Sequence, residues 1–169
     1  MPTIATLRPK ADFVGKNRID FLVAGVQKGG TNALHLLLAQ HPRIAMSSEK
    51  EVHFFDRREF VHQESAYADY HRMGWGIDGD LDDDVVYGES TPKYVLLNRN
   101  GVPQYLQRIR QYNPAMKLIV LLRDPVDRAF SQWSMLRMNG RDVPAFEEIV
   151  ATVLTTGMHK HDDIIRRGE

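Results

Sequence analysis

FLVAGVQKGGTNALHLLLAQHP, Phe21 to Pro42, is the stretch whose reading decides the fold. Four apolar residues, Phe21 to Ala24, run into Gly25, and a glycine-bearing turn with a single lysine, Lys28, follows. Ala33, Leu34, Leu36, Leu37 and Leu38 then carry a helical pattern that His41-Pro42 stops, because the residue before a proline is pushed out of the helical region. The order is strand, loop, helix, and the leucines predict a helix buried on most sides against a sheet. Loops of this kind hold phosphate: glycines let successive backbone N–H groups converge, and the helix N-terminus adds partial positive charge.

Outward from this stretch, the chain of 169 residues has ordinary globular composition, 43% hydrophobic and 26% charged, which excludes disordered and fibrous classes. Lys plus Arg and Asp plus Glu both total 22, so no global field argues for nucleic acid or an anionic membrane, and any anion site must be local. With no cysteine there is no disulfide, thiolate metal site or cysteine nucleophile. The first residues, MPTIATLRPKADFVGKNR, lack an apolar core of the signal-peptide kind, and no window approaches the roughly 18 apolar residues of a membrane span. The expectation is a soluble, cytoplasmic protein with residues 1–19 as an N-terminal tail and residues 20–169 as one domain.

Along that domain, Ile44 to Met46 is a second strand, Ser65 to Arg72 a short helix, and GWGIDGDLDDD a turn-rich acidic loop. Val85-Val86-Tyr87 begins a third strand that runs into GESTPKY, where Pro92 opens a helical turn. Val102, Tyr105, Leu106, Ile109 and Tyr112 recur at spacings of three and four, which predicts an amphipathic helix over 103–112 ended by Asn113-Pro114. Lys117 to Leu122 (KLIVLL) reads as a central parallel strand covered on both faces. Further helices start at Pro125 and Pro144, and HDDIIRRGE opens one more. Strands separated by helices specify an α/β fold with a central parallel sheet, whose ligands bind beyond the carboxyl ends of the strands. Trp75, Trp133, Met135, Met138, Phe54 and Phe55 are read as packing residues. The histidines show no metal-ligand spacing with a third ligand, so no metal is expected.

The loop GVQKGGTN departs from the Walker form GxxxxGK[ST]: Gly25 and Gly30 keep the spacing, but Thr31 stands where the lysine belongs and Lys28 lies inside the loop. An ordinary nucleoside triphosphatase is disfavoured, and a tight turn that binds nothing is the plain alternative. Lysine-Gly-Gly-Thr at a strand-to-helix turn resembles the 5′-phosphosulfate loop of sulfotransferases that use 3′-phosphoadenosine 5′-phosphosulfate (PAPS). A second stretch, KLIVLLRDPVDRAFS, resembles the same family's 3′-phosphate site, an arginine at a strand end with a serine eight residues later, here Arg123 and Ser131. A guanidinium offers phosphate a fork of charge-assisted hydrogen bonds, although an Arg–Asp surface pair and a helix-capping Asp124 would explain the same residues.

The third stretch, KEVHFFD from Lys50 to Asp56, resembles the segment after the phosphosulfate loop in heparan sulfate glucosaminyl 3-O-sulfotransferases. That resemblance makes Glu51 the base, with His53 and Asp56 as neighbours in the acceptor pocket. His53 is the rival base, by analogy with cytosolic aryl and steroid sulfotransferases. YGESTPKY resembles the segment that in this family reads Glu-Lys-Ser or Glu-Lys-Thr-Pro, with Ser90 in place of the lysine. An anionic polysaccharide would favour a cation there, and Lys93 stands one turn on.

The family resemblance implies the N-terminal portion of a PAPS-dependent sulfotransferase with a P-loop-like three-layer fold, truncated so that the C-terminal part of the domain is missing. It implies that Lys28, Gly29, Gly30, Thr31 and Asn32 hold the 5′-phosphosulfate, that Arg123 and Ser131 hold the 3′-phosphate, and that Lys28 and Glu51 serve catalysis with His53. His53, Asp56 and Lys93 would face the acceptor, a hydroxyl or amine compound with a carbohydrate among the candidates. The expected partners are PAPS or adenosine 3′,5′-bisphosphate and a small-molecule or glycan acceptor. A P-loop kinase-like phosphotransferase and a truncated, inactive nucleotide-binding domain are the alternatives.

Overall fold

The structure is a computed structural model that describes residues 17–96 and 105–156. Residues 17–122 and 123–156 form two compact units. The first is built on four parallel strands, β1 (Phe21–Gly25), β2 (Ile44–Met46), β3 (Val86–Ser90) and β4 (Lys117–Val120), in the order β2-β3-β1-β4. Between them lie helices α1 (Thr31–Leu38), α2 (Glu64–Trp75) and α3 (Leu106–Tyr112), and a 3-10 turn at Pro92–Val95. This is the expected α/β fold with a central parallel sheet.

The order has a functional consequence. From β1 the chain moves to one side to make β3 and β2, then crosses to the other side for β4. The strand order therefore reverses at β1, and in open parallel sheets the crevice outside the carboxyl ends at such a reversal is where ligands bind. Gly25, Ser90 and Val120 end their strands on that edge.

All five residues of β1 are buried, as a strand with neighbours on both sides requires. Its register is fixed by close packing: a Cβ on Gly88 would lie 2.1 Å from Cζ of Phe21, so only glycine lets the Phe21 ring cross β3 there. An aromatic cluster forms much of the core, with Phe54 stacked on Tyr70 at 4.2 Å, Phe55, Tyr67 and Tyr112 meeting them edge to face, and Tyr94 meeting Phe55 in the same way. Phe54 and Phe55 are thus core residues, and Trp75 packs edge-on to Tyr70 and Tyr87. Packing starts before β1: Ile19 is fully buried, and its N–H donates to the Tyr112 hydroxyl at 2.8 Å.

Three expectations are corrected. The α1 leucines are not buried on most sides: Leu36 and Leu37 are exposed, because the face turned inward is Thr31 and His35, four residues apart. β4 is not a covered central strand but the edge of the sheet among the described strands. Among the described strands only β1 pairs with it, and Leu118 and Val120 are exposed. Met138, expected to pack, is exposed at the last residue of its helix. The remaining elements agree within a few residues, with β3 carried on to Ser90 and α2 to Trp75; residues 97–104 and 157–169, including HDDIIRRGE, lie outside the described residues.

The second unit holds α4 (Pro125–Met138) and α5 (Phe146–Thr156). Phe130, Trp133 and Phe146 pack together, and the Trp133 indole N–H donates to the Pro144 carbonyl at 2.8 Å.

Candidate functional site

The loop leaving β1 is fastened at both ends. Val26 N–H donates to the Leu121 carbonyl at 3.0 Å and Leu121 N–H to the Gly25 carbonyl at 2.8 Å, so the loop begins locked against the end of β4. Gly29 N–H turns back to the Val26 carbonyl at 2.8 Å. A Cβ on Gly29 would lie 2.6 Å from the Leu121 carbonyl oxygen and 2.8 Å from that of Val26, so this position must be glycine. Gly30 has φ 101° with open space around it and caps α1, which has no side-chain cap. The first-turn N–H groups of Thr31 and Asn32 therefore lack the side-chain acceptor that usually covers a helix start, and they fit an anionic group. Lys28, half-buried, sits at φ 67°.

The segment after β2 carries the second cluster. Glu51 and His53 also have positive φ, 61° and 56°, a region that costs a non-glycine residue about 1–2 kcal/mol. His53 Nδ1 lies 3.0 Å from Asp56 Oδ2, and its Nε2 lies 3.4 Å from Glu51 Oε2. Lys93 Nζ reaches Asp56 Oδ2 at 3.0 Å, and Lys50 Nζ reaches Glu51 Oε1 at 3.4 Å. The result is a chain Glu51–His53–Asp56–Lys93, with one ring nitrogen of the imidazole toward each carboxylate. Burial would raise the pKa of Asp56, whose side chain is 4% exposed, but hydrogen bonds from Lys93 and His53 outweigh it and hold the carboxyl below its ordinary value. Asp56 is thus a fixed anion that orients the ring and the lysine, while Glu51 and His53 are accessible enough to meet a ligand.

The two clusters share one edge of the sheet. Lys93 stands on the 3-10 turn after β3, and that turn presses on the loop so closely that a Cβ on Gly25 would lie 2.1 Å from Cγ2 of Val95. Glu51 N–H donates to the Ser90 carbonyl at 2.9 Å, which ties its segment to the carboxyl end of β3. Of the residues singled out in the sequence, Lys28 and its glycine turn, Glu51, His53, Asp56 and Lys93 belong to this first unit.

Arg123 and Ser131 belong to the second. Arg123 lies three residues beyond β4, with its guanidinium 3.9 Å from Asp127 of the same unit, and Ser131 lies half-buried in α4. Asp124 caps α4 through bonds from the N–H groups of Val126 and Asp127 at 2.9 and 3.1 Å, so capping and the Arg–Asp pair are both real.

Two buried groups escaped the motif reading. His35, on the inner face of α1, lies 3.1 Å from Ser90 Oγ through Nδ1. Burial and the nearby Lys50 charge lower its pKa against a backbone hydrogen bond at Ser47. Glu89 is fully buried and accepts from Tyr70, Thr91 and Tyr94. Burial raises its carboxyl pKa, and the hydrogen bonds from Thr91, Tyr70, Tyr94 and the Val52 backbone oppose the rise. The signal for Glu89 was a carboxylate inside an otherwise apolar strand, VVYGES.

The parallel sheet with its glycine loop places the chain among the α/β folds of the phosphate-loop kind. More particularly, the model of the sulfotransferase domain matches residues 18–161, and the chain belongs to that family. Human heparan sulfate glucosamine 3-O-sulfotransferase 3A1 is 32% identical over 153 residues, 90% of this chain and 34% of that protein. The membrane-associated sulfotransferase kil1 of Dictyostelium discoideum is 34% identical over 117 residues, 68% of this chain and 22% of that protein. A crystal structure of a sulfotransferase from Alicyclobacillus acidocaldarius superposes with a TM-score of 0.65 at 29% identity, covering 89% of this chain and 60% of that one. The chain thus spans about a third or less of these two curated relatives.

Proposed function

We propose that this protein transfers a sulfuryl group from PAPS to a hydroxyl of a carbohydrate-like acceptor. The observation that carries the reading is the placement of the Glu51–His53–Asp56–Lys93 chain at the carboxyl edge of the sheet, beside the glycine loop that bears Lys28. In this reading Lys28 and the N–H groups of Gly30, Thr31 and Asn32 hold the 5′-phosphosulfate, while Gly29, whose own N–H is taken by the Val26 carbonyl, shapes the turn; Arg123 and Ser131 hold the 3′-phosphate. Glu51 takes the proton of the acceptor hydroxyl as its oxygen forms a bond to sulfur. The bond from sulfur to the bridging phosphate oxygen breaks, and the leaving group is adenosine 3′,5′-bisphosphate. Lys28 stabilises charge developing on the leaving oxygen, a term that is often the largest in such transfers. His53, held by Asp56, steadies the Glu51 carboxylate, and Lys93 keeps Asp56 ionised while offering a cation to the acceptor. The family membership and the identity to a heparan sulfate 3-O-sulfotransferase support a sugar hydroxyl as the acceptor.

The test combines binding and turnover. Adenosine 3′,5′-bisphosphate is expected to raise the unfolding temperature of the wild type, whereas ATP with magnesium leaves it unchanged. Glu51→Gln is expected to keep that shift and to lower the rate of sulfuryl transfer by about 10²–10⁴, the usual share of a general base. A wild-type response to ATP alone sinks the donor assignment, and an undiminished rate in Glu51→Gln sinks the base.

A further inference from the structure

The segment that carries Glu51 and His53 has few contacts of its own kind to hold it: it belongs to no helix or strand. Its backbone N–H groups nevertheless all end on one neighbouring stretch, residues 89–94. Glu51 N–H donates to the Ser90 carbonyl at 2.9 Å, and the Val52 backbone hydrogen-bonds the Glu89 carboxyl. His53 N–H points to Thr91 Oγ1 at 3.4 Å, and the N–H groups of Phe54 and Phe55 point to the Tyr94 hydroxyl at 3.0 and 3.4 Å. Both hydroxyls are themselves oriented by the same carboxylate: Thr91 donates to Glu89 Oε2 at 2.7 Å and Tyr94 to Oε1 at 2.8 Å, while Tyr70 adds a third hydroxyl to Oε1 at 2.7 Å. A hydroxyl that has given its proton to Glu89 keeps its lone pairs for the loop.

We propose that Glu89 is a positioning residue: from inside the core it fixes the left-handed turns at Glu51 and His53, and so aims the base at the acceptor. Strained backbone of this kind persists only where its surroundings over-determine it, and four of the five N–H groups from Glu51 to Phe55 are held by Glu89 or by a hydroxyl that Glu89 orients. The partners of Glu89 are all donors, which suits a carboxylate with two accepting oxygens. An amide in its place turns one acceptor into a donor aimed at other donors. The inference rests on the proposed role of Glu51, but the hold on the loop can be read separately from the chemistry.

Amide hydrogen exchange and sulfuryl-transfer kinetics on Glu89→Gln provide the test, with Tyr112→Phe as the control. Tyr112 lies in the same aromatic core, but its hydroxyl serves Ile19 and His71 rather than the loop. Glu89→Gln is expected to speed exchange across residues 51–55 by about tenfold or more while β1 stays protected. It should lower kcat by about tenfold or more, with KM for the donor and the affinity for adenosine 3′,5′-bisphosphate unchanged, the pattern of an interaction realised in the transition state. Tyr112→Phe should lower the unfolding temperature and leave loop exchange and kcat near wild type. Thr91→Val, which removes only the hydroxyl between Glu89 and His53, should show the same signature in weaker form and stands in if Glu89→Gln does not fold. Unchanged exchange at 51–55, or equal losses of kcat in Glu89→Gln and Tyr112→Phe, overturns the proposal. Faster loop exchange together with full activity in Glu51→Gln would instead remove the base assignment and leave the hold on the loop standing.

Discussion

Lys28, Glu51 and His53 occupy a region of backbone space where glycine would be more stable, with φ of 67°, 61° and 56°. The side chains that the proposed chemistry needs therefore stand where local stability alone would not place them. Lys28→Gly gives this a sign and a size. Relief of the left-handed strain gains about 1–2 kcal/mol, and the greater freedom of glycine in the unfolded chain takes back about 0.4–1 kcal/mol. The variant is expected to unfold at higher denaturant concentration than the wild type. Calorimetry should show weaker binding of adenosine 3′,5′-bisphosphate by about tenfold or more, since a hydrogen bond to a charged group contributes about 1.5–3 kcal/mol. A destabilised variant, or one with unaltered affinity, contradicts the dual assignment. At this scale Lys28 and Glu51 could be singled out as candidates because each stands in a short motif, GVQKGGTN and KEVHFFD. Their backbone conformations were not, since neither lysine nor glutamate favours positive φ. Glu89 was hidden because its meaning depends on Tyr70, Thr91 and Tyr94, which only the fold brings to one carboxylate.

Among the elements, β1, its loop and the start of α1 could be read directly, since a buried strand running into glycines has one natural continuation. The inner face of α1 could not: leucines dominate its sequence, yet His35 is the side chain that reaches β3, through Ser90. α2 and α3 are joined by a similar buried polar contact. His71 on α2 lies 2.7 Å from the Tyr112 hydroxyl, which also accepts the Ile19 N–H and so gives its own proton to the imidazole. A neutral His71 suits this arrangement, and burial, with the nearby Arg18 charge, lowers its pKa to about 4. Its unfolded counterpart titrates near 6.5, so in the window from 6.5 down to 4 the unfolded chain binds a proton that the native state refuses. Stability from this group is complete above that window and is lost as pH falls through it, by on the order of 3 kcal/mol. Asp56, with its pKa held below the ordinary carboxylate value, adds a further loss at still lower pH. Denaturant unfolding at a series of pH values should show the slope, and His71→Gln should flatten it between pH 6.5 and 4 despite a lower plateau. An equally steep slope in that variant would assign the acid sensitivity elsewhere.

For the whole molecule, the apolar surface left open at the sheet is the feature with physical consequences. Leu118 and Val120 lie on one face of β4 at 41% and 45% exposure, Leu122 just beyond is 80% exposed, and Leu37 on α1 is 64% exposed. Among the described strands β4 is paired on one side only, and a flat apolar edge strand is a template for pairing with another chain. KLIVLL was legible as a strand because it is apolar throughout, but an apolar run does not reveal what covers it, which is why its place at the edge could not be read. The formal net charge of zero provides no long-range repulsion to keep copies apart. The 169-residue chain by itself is therefore expected to associate with rising concentration, which sedimentation velocity across about 10–100 μM would register as a growing mean mass. Leu37→Glu combined with Leu122→Glu places charge on two of the most exposed apolar positions without touching the core, so its unfolding free energy should stay within about 0.5 kcal/mol of wild type for each substitution. The double variant should sediment as a monomer over the same range. Association that survives both charges would mean that the open β4 face is not its cause, and a wild type that stays monomeric would mean that the exposed edge is too short and too twisted to pair.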